Sequence, residues 1–228
     1  MPVFINATAN VVILANYKVM YSSLKEQEGY NRVSDHDAII YIVRQSIRGK
    51  GPRVVTIVRN PYDRLVSFYE DKMRSHPVSP DRKRWGDERG WQGNQKIFFS
   101  QIGVSYANSD EEIAERLTST SFDTFIHMLP SIYHMDEHLT PQYDRLRLYA
   151  RILKKKIGWR IPGVEIVKLE HYDSVYMKQV LQIDVRRHAN KSANRKSYDS
   201  YFNPNTYAVV NKLYKKDFEE FGYEQRDS

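Results

Sequence analysis

The sequence contains no cysteine, and this absence removes several functions at once. Without thiols the chain forms no disulfide, no thiolate metal site and no cysteine nucleophile. Such a composition fits a reducing compartment, so we expect a cytoplasmic protein. Long apolar runs are also missing, since no stretch approaches the roughly eighteen apolar residues of a membrane span. The N-terminus has neither a basic segment ahead of an apolar core nor the small-residue cleavage site of a signal peptide. We therefore expect a protein without a membrane span.

Positively charged side chains outnumber negatively charged ones. The 228 residues include 35 Lys and Arg against 28 Asp and Glu, which gives a formal net charge of +7. A basic balance suggests an anionic partner, which includes nucleic acid, a membrane surface, an acidic polymer or a nucleotide. A solvated basic surface is an equally good interpretation. No linker-like segment divides the chain, so we expect a single domain over residues 1–228.

Strand and helix patterns alternate along the chain. Residues 11–15, 53–59 and 164–170 are short apolar runs rich in β-branched residues, which predict buried strands. Residues 35–51 predict a helix with apolar side chains at helical spacing and a glycine stop. Further helices are predicted at 22–29 with a serine cap, and at 109–117, 121–129, 171–183 and 203–223. The alternation indicates an α/β fold.

A polar segment at 74–95 interrupts this pattern. It contains two prolines, three glycines, Trp85 and Trp91. Loops of this length are more often functional than idle, so we interpret it as a surface loop or lid. The two tryptophans either cover an acceptor, since aromatic faces pack well on flat rings, or form the core of the lid itself.

A first phosphate-binding pattern appears where the second predicted strand meets the next helix, in "RNPYDRLVS" at 59–67. Asn60 suits an N-cap and Pro61 the first helical position. Arg59 ends the strand, and Ser67 lies off the apolar stripe of the helix. Together they suit a two-point clamp for a phosphate. The alternative is that Arg59 pairs with Asp63 and that Ser67 is merely solvated. The apolar stripe that buries the helix comprises Tyr62, Leu65, Val66, Tyr69 and Met73.

A second such pattern follows the first predicted strand, in "VVILANYKVMYSSLK" at 11–25. A strand, then Lys18, then the hydroxyls of Ser22 and Ser23 resembles the arrangement of a phosphate-binding loop. The glycines of the Walker sequence are missing, and the lysine precedes its hydroxyl residues at a different spacing. A Walker-type ATPase is therefore disfavoured.

The two patterns together resemble sulfotransferases that use 3′-phosphoadenosine 5′-phosphosulfate (PAPS), in particular the membrane-type carbohydrate family and its soluble bacterial relatives. The 3′-phosphate motif of that family, R-x-P-x-x-R-L-x-S, matches residues 59–67 completely, and the 5′-phosphosulfate loop matches at Lys18, Ser22 and Ser23. Residues 138–144, 164–172 and 201–223 also resemble family segments. Tyr17 departs from the family's proline, and Met20 and Tyr21 depart from its small residues.

The resemblance implies a P-loop-like three-layer α/β/α domain with a central parallel sheet, and PAPS as the donor with 3′,5′-ADP as its product. Lys18 is then expected to neutralise charge on the leaving bisphosphate, as in phosphoryl transfer. The residues expected to hold the nucleotide are Val19, Met20, Tyr21, Ser22 and Ser23 at its 5′ end, Arg59 and Ser67 at its 3′-phosphate, and Lys191 and Ser192 in a closing loop. The sequence shows no obvious metal clamp.

The acceptor hydroxyl needs a base, and a histidine suits this role because its pKa lies near neutrality. His36 is the first candidate, because related enzymes carry a histidine at a similar distance before the motif arginine; His138 is the second. The acceptor is a saccharide hydroxyl or a small hydroxylated metabolite. Glu170, at the end of the third predicted strand, either orients basic groups or is a structurally paired acid.

Two other classes remain as alternatives. A nucleotide-dependent kinase would need a glycine-rich loop and acidic Mg²⁺ ligands, and neither is evident. A module that binds nucleic acid or another polyanion is suggested by the net charge and by seventeen tyrosines. The basic residues are spread along the chain and no recognition motif is present, so we expect no nucleic-acid partner. Oligomeric state is not predicted.

Overall fold

A computed structural model describes residues 2–74, 88–147, 151, 163–184 and 197–227. These residues fall into two compact units. The first unit comprises the described residues of Met1–Asn60, Pro141–Arg195 and Glu219–Tyr223, and the second those of Pro61–Thr140, Lys196–Phe218 and Glu224–Ser228. Within the described residues, no helix has the length and apolar character needed to cross a membrane. Helices and strands are numbered here in chain order.

The first unit contains a five-stranded sheet in the order β3-β1-β2-β4-β5. Its strands are β1 (Val3–Asn6), β2 (Val11–Ala15), β3 (Tyr30–Val33), β4 (Arg53–Val58) and β5 (Glu165–Lys168). The pairs β2–β4 and β4–β5 are parallel, whereas β1 pairs antiparallel with both β2 and β3. The predicted parallel arrangement therefore describes the centre of the sheet, and the antiparallel strands β1 and β3 extend it on one side.

Both faces of this sheet are covered, because its side chains alternate between two buried clusters. On one face α2 (Asp35–Ile47) packs its apolar residues Ala38, Ile39 and Ile42 against Val12 and Leu14. On the other face, Ile13 and Ile57 are buried with residues of α1 (Tyr21–Lys25) and α7 (Ser174–Gln179). The predicted α/β fold with three layers is confirmed.

Predicted and observed boundaries of the first unit agree closely. Strand β2 occupies the predicted residues, β4 ends one residue earlier than predicted, and β5 lies inside the predicted range. Helix α2 ends at Ile47, and Gly49 follows with a φ of 71°, as a left-handed C-terminal glycine does. The predicted serine cap of α1 is wrong: Met20 occupies the N-cap position, and Ser22 and Ser23 lie inside the helix.

The second unit is helical. Its helices are α3 (Pro61–Lys72), α4 (Gly93–Lys96), α5 (Asp110–Ser119), α6 (Phe122–Ile132) and α8 (Pro204–Leu213), with a 3₁₀ turn at Tyr198–Tyr201. Ser109 and Ser121 cap α5 and α6 as predicted. The single helix predicted at 203–223 is divided at Tyr214 into α8 and α9 (Lys215–Phe221).

The predicted apolar stripe of α3 is confirmed. Tyr62, Leu65, Val66, Tyr69 and Met73 are all buried. Trp91 is fully buried and its indole N–H donates to Asp110 at 2.7 Å, so it is a core residue of the second unit. Trp85 and most of the predicted 74–95 loop lie outside the described residues.

Candidate functional site

The carboxyl ends of β2 and β4 lie side by side in the first unit. The two strands are parallel neighbours, with Ala15 opposite Ile57, so the segments that follow them leave the same edge of the sheet. Asn16, which is almost completely buried, joins these ends. Its Nδ2 atom donates to the carbonyl of Ile57 at 3.1 Å and to Oγ1 of Thr56 at 3.4 Å. Ligands of open α/β sheets bind beyond such carboxyl ends.

The loop after β2 has an unusual backbone. Lys18 and Met20 both adopt left-handed conformations, with φ values of 64° and 54°. Each costs roughly 1 kcal/mol or more for a residue with a side chain. Between them Val19 is fully buried, and its N–H donates to the carbonyl of Asn16 at 3.3 Å. Strain of this kind is concentrated where loops bind ligands, so the backbone supports a functional role for this loop.

The side chains of the predicted 5′ loop have different environments. Val19 and Met20 are buried in the core of the first unit, so only their backbone is able to contact a ligand. Ser22 is exposed and Ser23 is buried. Tyr21 packs its ring on that of Tyr17, with centroids 5.1 Å apart. The two tyrosines of this loop thus contact each other.

Arg59 is the residue immediately after β4, and its side chain reaches the neighbouring loop. Its Nη1 atom donates to the carbonyl oxygen of Lys18 at 3.1 Å. Its backbone is held by Gln142: the Arg59 N–H donates to Oε1 of Gln142 at 3.0 Å, and Nε2 of Gln142 donates to the Arg59 carbonyl at 2.8 Å. The two sequence patterns therefore meet in the structure through the residues that carry their positive charges.

Glu170 holds the next peptide group. The Asn60 N–H donates to Oε1 of Glu170 at 2.7 Å, and the hydroxyl of Tyr223 donates to Oε2 at 2.9 Å. The residue before Tyr223 is fastened to β5 as well, because Nζ of Lys168 donates to the carbonyl of Gly222 at 2.7 Å. Glu170 thus orients backbone at the point where α3 begins. Gln142 lies in the segment 138–144 that the sequence singles out, but its contact with Arg59 was not predicted, and neither was this role of Glu170.

Three of the predicted nucleotide contacts lie outside the described part of the first unit. Ser67 lies on α3 in the second unit and is half-buried. Lys191 and Ser192 lie outside the described residues.

The first candidate base, His36, is an exposed residue. It lies in the first turn of α2, and 70% of its side chain is accessible to solvent. Its Nδ1 atom is 3.9 Å from a carboxylate oxygen of Asp37, which is itself largely exposed. A pair this open is weakly constrained, because solvent screens it and both side chains retain other rotamers.

The second candidate base, His138, is held much more firmly. Its Nδ1 atom lies 2.6 Å from Oδ1 of Asp136, and the two side chains are 22% and 18% exposed. Its ring packs near Phe68, with a centroid separation of 6.3 Å. Burial alone would raise the pKa of Asp136, but the hydrogen bonds from the ring and the backbone N–H of His138, together with the positive charge of that ring when it is protonated, outweigh burial and lower the pKa. A carboxylate at Nδ1 fixes the tautomer of a histidine and leaves Nε2 to accept a proton.

The backbone around His138 is fixed by two buried side chains. Arg64 donates from Nη2 to the carbonyls of Glu137 at 3.3 Å and Thr140 at 3.0 Å. Tyr214 donates its hydroxyl to the carbonyl of Leu139 at 2.6 Å. Arg64, the second arginine of the 59–67 motif, is only 1% exposed, so it supports the fold of the second unit. Helical spacing puts Arg64 opposite the predicted apolar stripe of α3, so neither its burial nor its partners were predicted from the sequence.

An α/β unit with basic side chains at the carboxyl ends of adjacent parallel strands is typical of proteins that bind phosphorylated ligands. Within that class the chain belongs to the sulfotransferase family, because the family model described as "Sulfotransferase family" matches residues 7–224. Members of this family transfer sulfuryl groups, and they generally take them from PAPS. No curated protein and no solved structure matches the chain.

Proposed function

We propose that this protein is a PAPS-dependent O-sulfotransferase that moves a sulfuryl group to a hydroxyl of a saccharide or a small hydroxylated metabolite. The observation that carries the proposal is the contact between the two sequence patterns. Arg59 begins the complete 3′-phosphate motif, and its guanidinium group donates to the carbonyl of Lys18 in the 5′ loop. Membership of the sulfotransferase family and the position of these two cations at adjacent strand ends support binding of both ends of a doubly phosphorylated adenosine.

The donor fits the chemistry of these residues. PAPS supplies the sulfuryl group when it is bound. Lys18 neutralises negative charge that develops on the leaving oxygen, and the Ser22 and Ser23 hydroxyls with the backbone of residues 19–23 hold the 5′ end. Arg59 and Ser67 bind the 3′-phosphate, because a guanidinium group matches the geometry of phosphate oxygens. Lys191 and Ser192 close over the nucleotide.

We assign the role of general base to His138 in preference to His36. His138 has its Nδ1 atom on a carboxylate at 2.6 Å, in a segment whose carbonyls are fixed by Arg64 and Tyr214. Nε2 then takes the proton of the acceptor hydroxyl, and Asp136 stabilises the resulting imidazolium. The exposed, weakly paired ring of His36 offers no comparable orientation.

Ligand-dependent stability tests the donor. Thermal unfolding is measured with 3′,5′-ADP, with 5′-AMP, and with ATP plus Mg²⁺. A ligand at a hundredfold excess over its Kd stabilises the folded state by about 2.7 kcal/mol, so we expect a clear rise in Tm with 3′,5′-ADP and a smaller one with 5′-AMP. No shift with 3′,5′-ADP contradicts the proposal, and a shift with ATP plus Mg²⁺ alone favours a kinase.

Arg59→Ala tests the 3′-phosphate contact in the same assay. Loss of a hydrogen bond to a charged group costs about 1.5–3 kcal/mol, so affinity for 3′,5′-ADP falls about 10- to 100-fold while affinity for 5′-AMP changes little. Arg53→Ala is the matched control, because Arg53 begins the same strand and pairs with Glu165. Equal losses of affinity for the two nucleotides would show that Arg59 does not bind the 3′-phosphate.

The base is tested with His138→Ala and His36→Ala, assayed with labelled PAPS against a panel of hydroxylated acceptors. Loss of a general base lowers turnover by about 10²–10⁴-fold, and we expect this for His138→Ala, with binding of 3′,5′-ADP retained. His36→Ala is expected to keep turnover within a few-fold of wild type. The opposite pattern would return the role to His36, as the sequence first suggested.

A further inference from the structure

At the end of β4, the side chain of Gln142 makes the hydrogen bonds that a neighbouring strand makes elsewhere along β4. Up to Val58, the backbone of β4 pairs with β5 and the residue after it, since Leu169 donates its N–H to the Val58 carbonyl at 2.8 Å. At Arg59, the partner of the backbone N–H and carbonyl is instead the side-chain amide of Gln142, at 3.0 and 2.8 Å. The Gln142 side chain is completely buried, so solvent does not compete for these bonds.

The side-chain amide of Gln142 offers an uncharged donor and an acceptor side by side, as this contact requires. With both backbone groups held, the peptide planes on either side of Arg59 are fixed, and so is the direction in which its side chain leaves the backbone. The guanidinium group then lies where it bonds to the Lys18 carbonyl at 3.1 Å. A binding group displaced by about 1 Å loses much of its effect, up to 10²-fold in catalysis.

We propose that Gln142 is a positioning residue for donor selection: its amide holds the backbone of Arg59 so that the guanidinium group distinguishes nucleotides with a 3′-phosphate from those without one. This inference rests on the proposed function, because it assumes that Arg59 binds that phosphate. Gln142 itself contacts the Arg59 backbone and not the nucleotide. Its effect should therefore appear in the ratio of affinities for 3′,5′-ADP and 5′-AMP.

The informative variant is Gln142→Glu, measured by calorimetry with both nucleotides between pH 5 and pH 9. An ionised carboxylate accepts from the Arg59 N–H but repels its carbonyl, whereas a protonated carboxyl restores a donor. We expect the ratio of the affinity for 3′,5′-ADP to the affinity for 5′-AMP to lie about tenfold below that of wild type at pH 9. Towards pH 5 the ratio should rise again towards the wild-type value. Each value is divided by that of wild type at the same pH, because the phosphates also titrate near pH 6.

A second variant separates positioning from folding. Gln142→Met keeps the length of the side chain but removes both hydrogen-bonding groups, so the ratio should fall without recovery at acid pH. The matched control is Gln27→Glu in the same unit. Gln27 makes the same paired contact, with its Nε2 donating to the Asp184 carbonyl at 3.2 Å and its Oε1 accepting from the Asp184 N–H at 2.8 Å. The Gln27→Glu variant should be less stable than wild type, but its ratio of affinities for 3′,5′-ADP and 5′-AMP should equal that of wild type.

The outcomes distinguish this inference from the proposed function. A wild-type protein that fails to prefer 3′,5′-ADP overturns the proposed function and the inference with it. A wild-type protein that prefers 3′,5′-ADP, with a folded Gln142→Glu variant that keeps the preference or loses affinity equally for both nucleotides, overturns the inference alone. A pH-dependent ratio in Gln142→Glu and an unchanged ratio in Gln27→Glu support it.

Discussion

The loops after β2 and β4 leave the same edge of one sheet, yet they are held in different ways. The loop after β2 is shaped by its own backbone, with left-handed conformations at Lys18 and Met20 and the buried side chain of Val19 between them. The corner after β4 is held from outside, by Gln142 on the backbone of Arg59 and by Glu170 on the next peptide N–H.

This difference separates two ways of pre-organising a binding group. In a strained local backbone, the conformational free-energy cost falls on a few residues, and the strain depends on the conformational preference of each of them. An external clamp leaves local conformation ordinary and depends on residues 83 and 110 positions away in the chain. Substitutions at remote positions should therefore affect the Arg59 corner, whereas the Lys18 loop should respond to changes in its own residues.

Of the two corners, the strained loop is expected to show the larger effect, and this is an effect on catalysis. Lys18→Ala removes the ammonium group that neutralises the leaving oxygen, so turnover should fall about 10²–10³-fold. The assay follows transfer of label from PAPS to an acceptor. Lys25→Ala is the control, because Lys25 ends α1 and is exposed. Wild-type turnover in Lys18→Ala would show that the strained backbone, and not its cation, is what the loop contributes.

Much of the fold was predictable because many segments carry residue patterns that determine their own secondary structure. The apolar run of β2 and the helical spacing of α2 and α3 indicate their own conformations, and the structure confirms them. Strands β1 and β3 were not predicted: each has four residues, and the two central residues of β3 are polar and exposed. Such strands depend on pairing with a neighbour, and a sequence pattern does not show that pairing.

The candidate site was predictable to the extent that its residues form a motif. Lys18 and Arg59 were predicted from the residues around them, and the Arg59 guanidinium group contacts the Lys18 carbonyl in the structure. The hydrogen bonds of Gln142 to Arg59 and of Asp136 to His138 were not predicted, because a sequence pattern does not show hydrogen-bond partners. The positive φ of Lys18 was also hidden, since lysine has no preference that predicts it.

The external clamp is tested by comparing two acidic residues at the ends of β5. Glu170→Ala removes the acceptor of the Asn60 N–H and of the Tyr223 hydroxyl, so the free energy of unfolding should fall by about 1–2 kcal/mol. Glu165→Ala removes a surface pair with Arg53 and should cost less than about 1 kcal/mol. Both are measured by urea denaturation. Equal losses would mean that Glu170 acts as an ordinary surface acid.

The smallest expected effect isolates the strain in the Lys18 loop. Lys18→Ala and Lys18→Gly both lack the ammonium group, but alanine at a φ of 64° remains strained and glycine does not. We expect Lys18→Gly to be more stable than Lys18→Ala by about 1 kcal/mol in urea denaturation. At Lys25, the last residue of α1, the order should reverse, because helical backbone favours alanine over glycine, by up to about 0.5–1 kcal/mol. If glycine is the less stable residue at both positions, the left-handed backbone of Lys18 carries no cost, and the contrast between the two corners is lost.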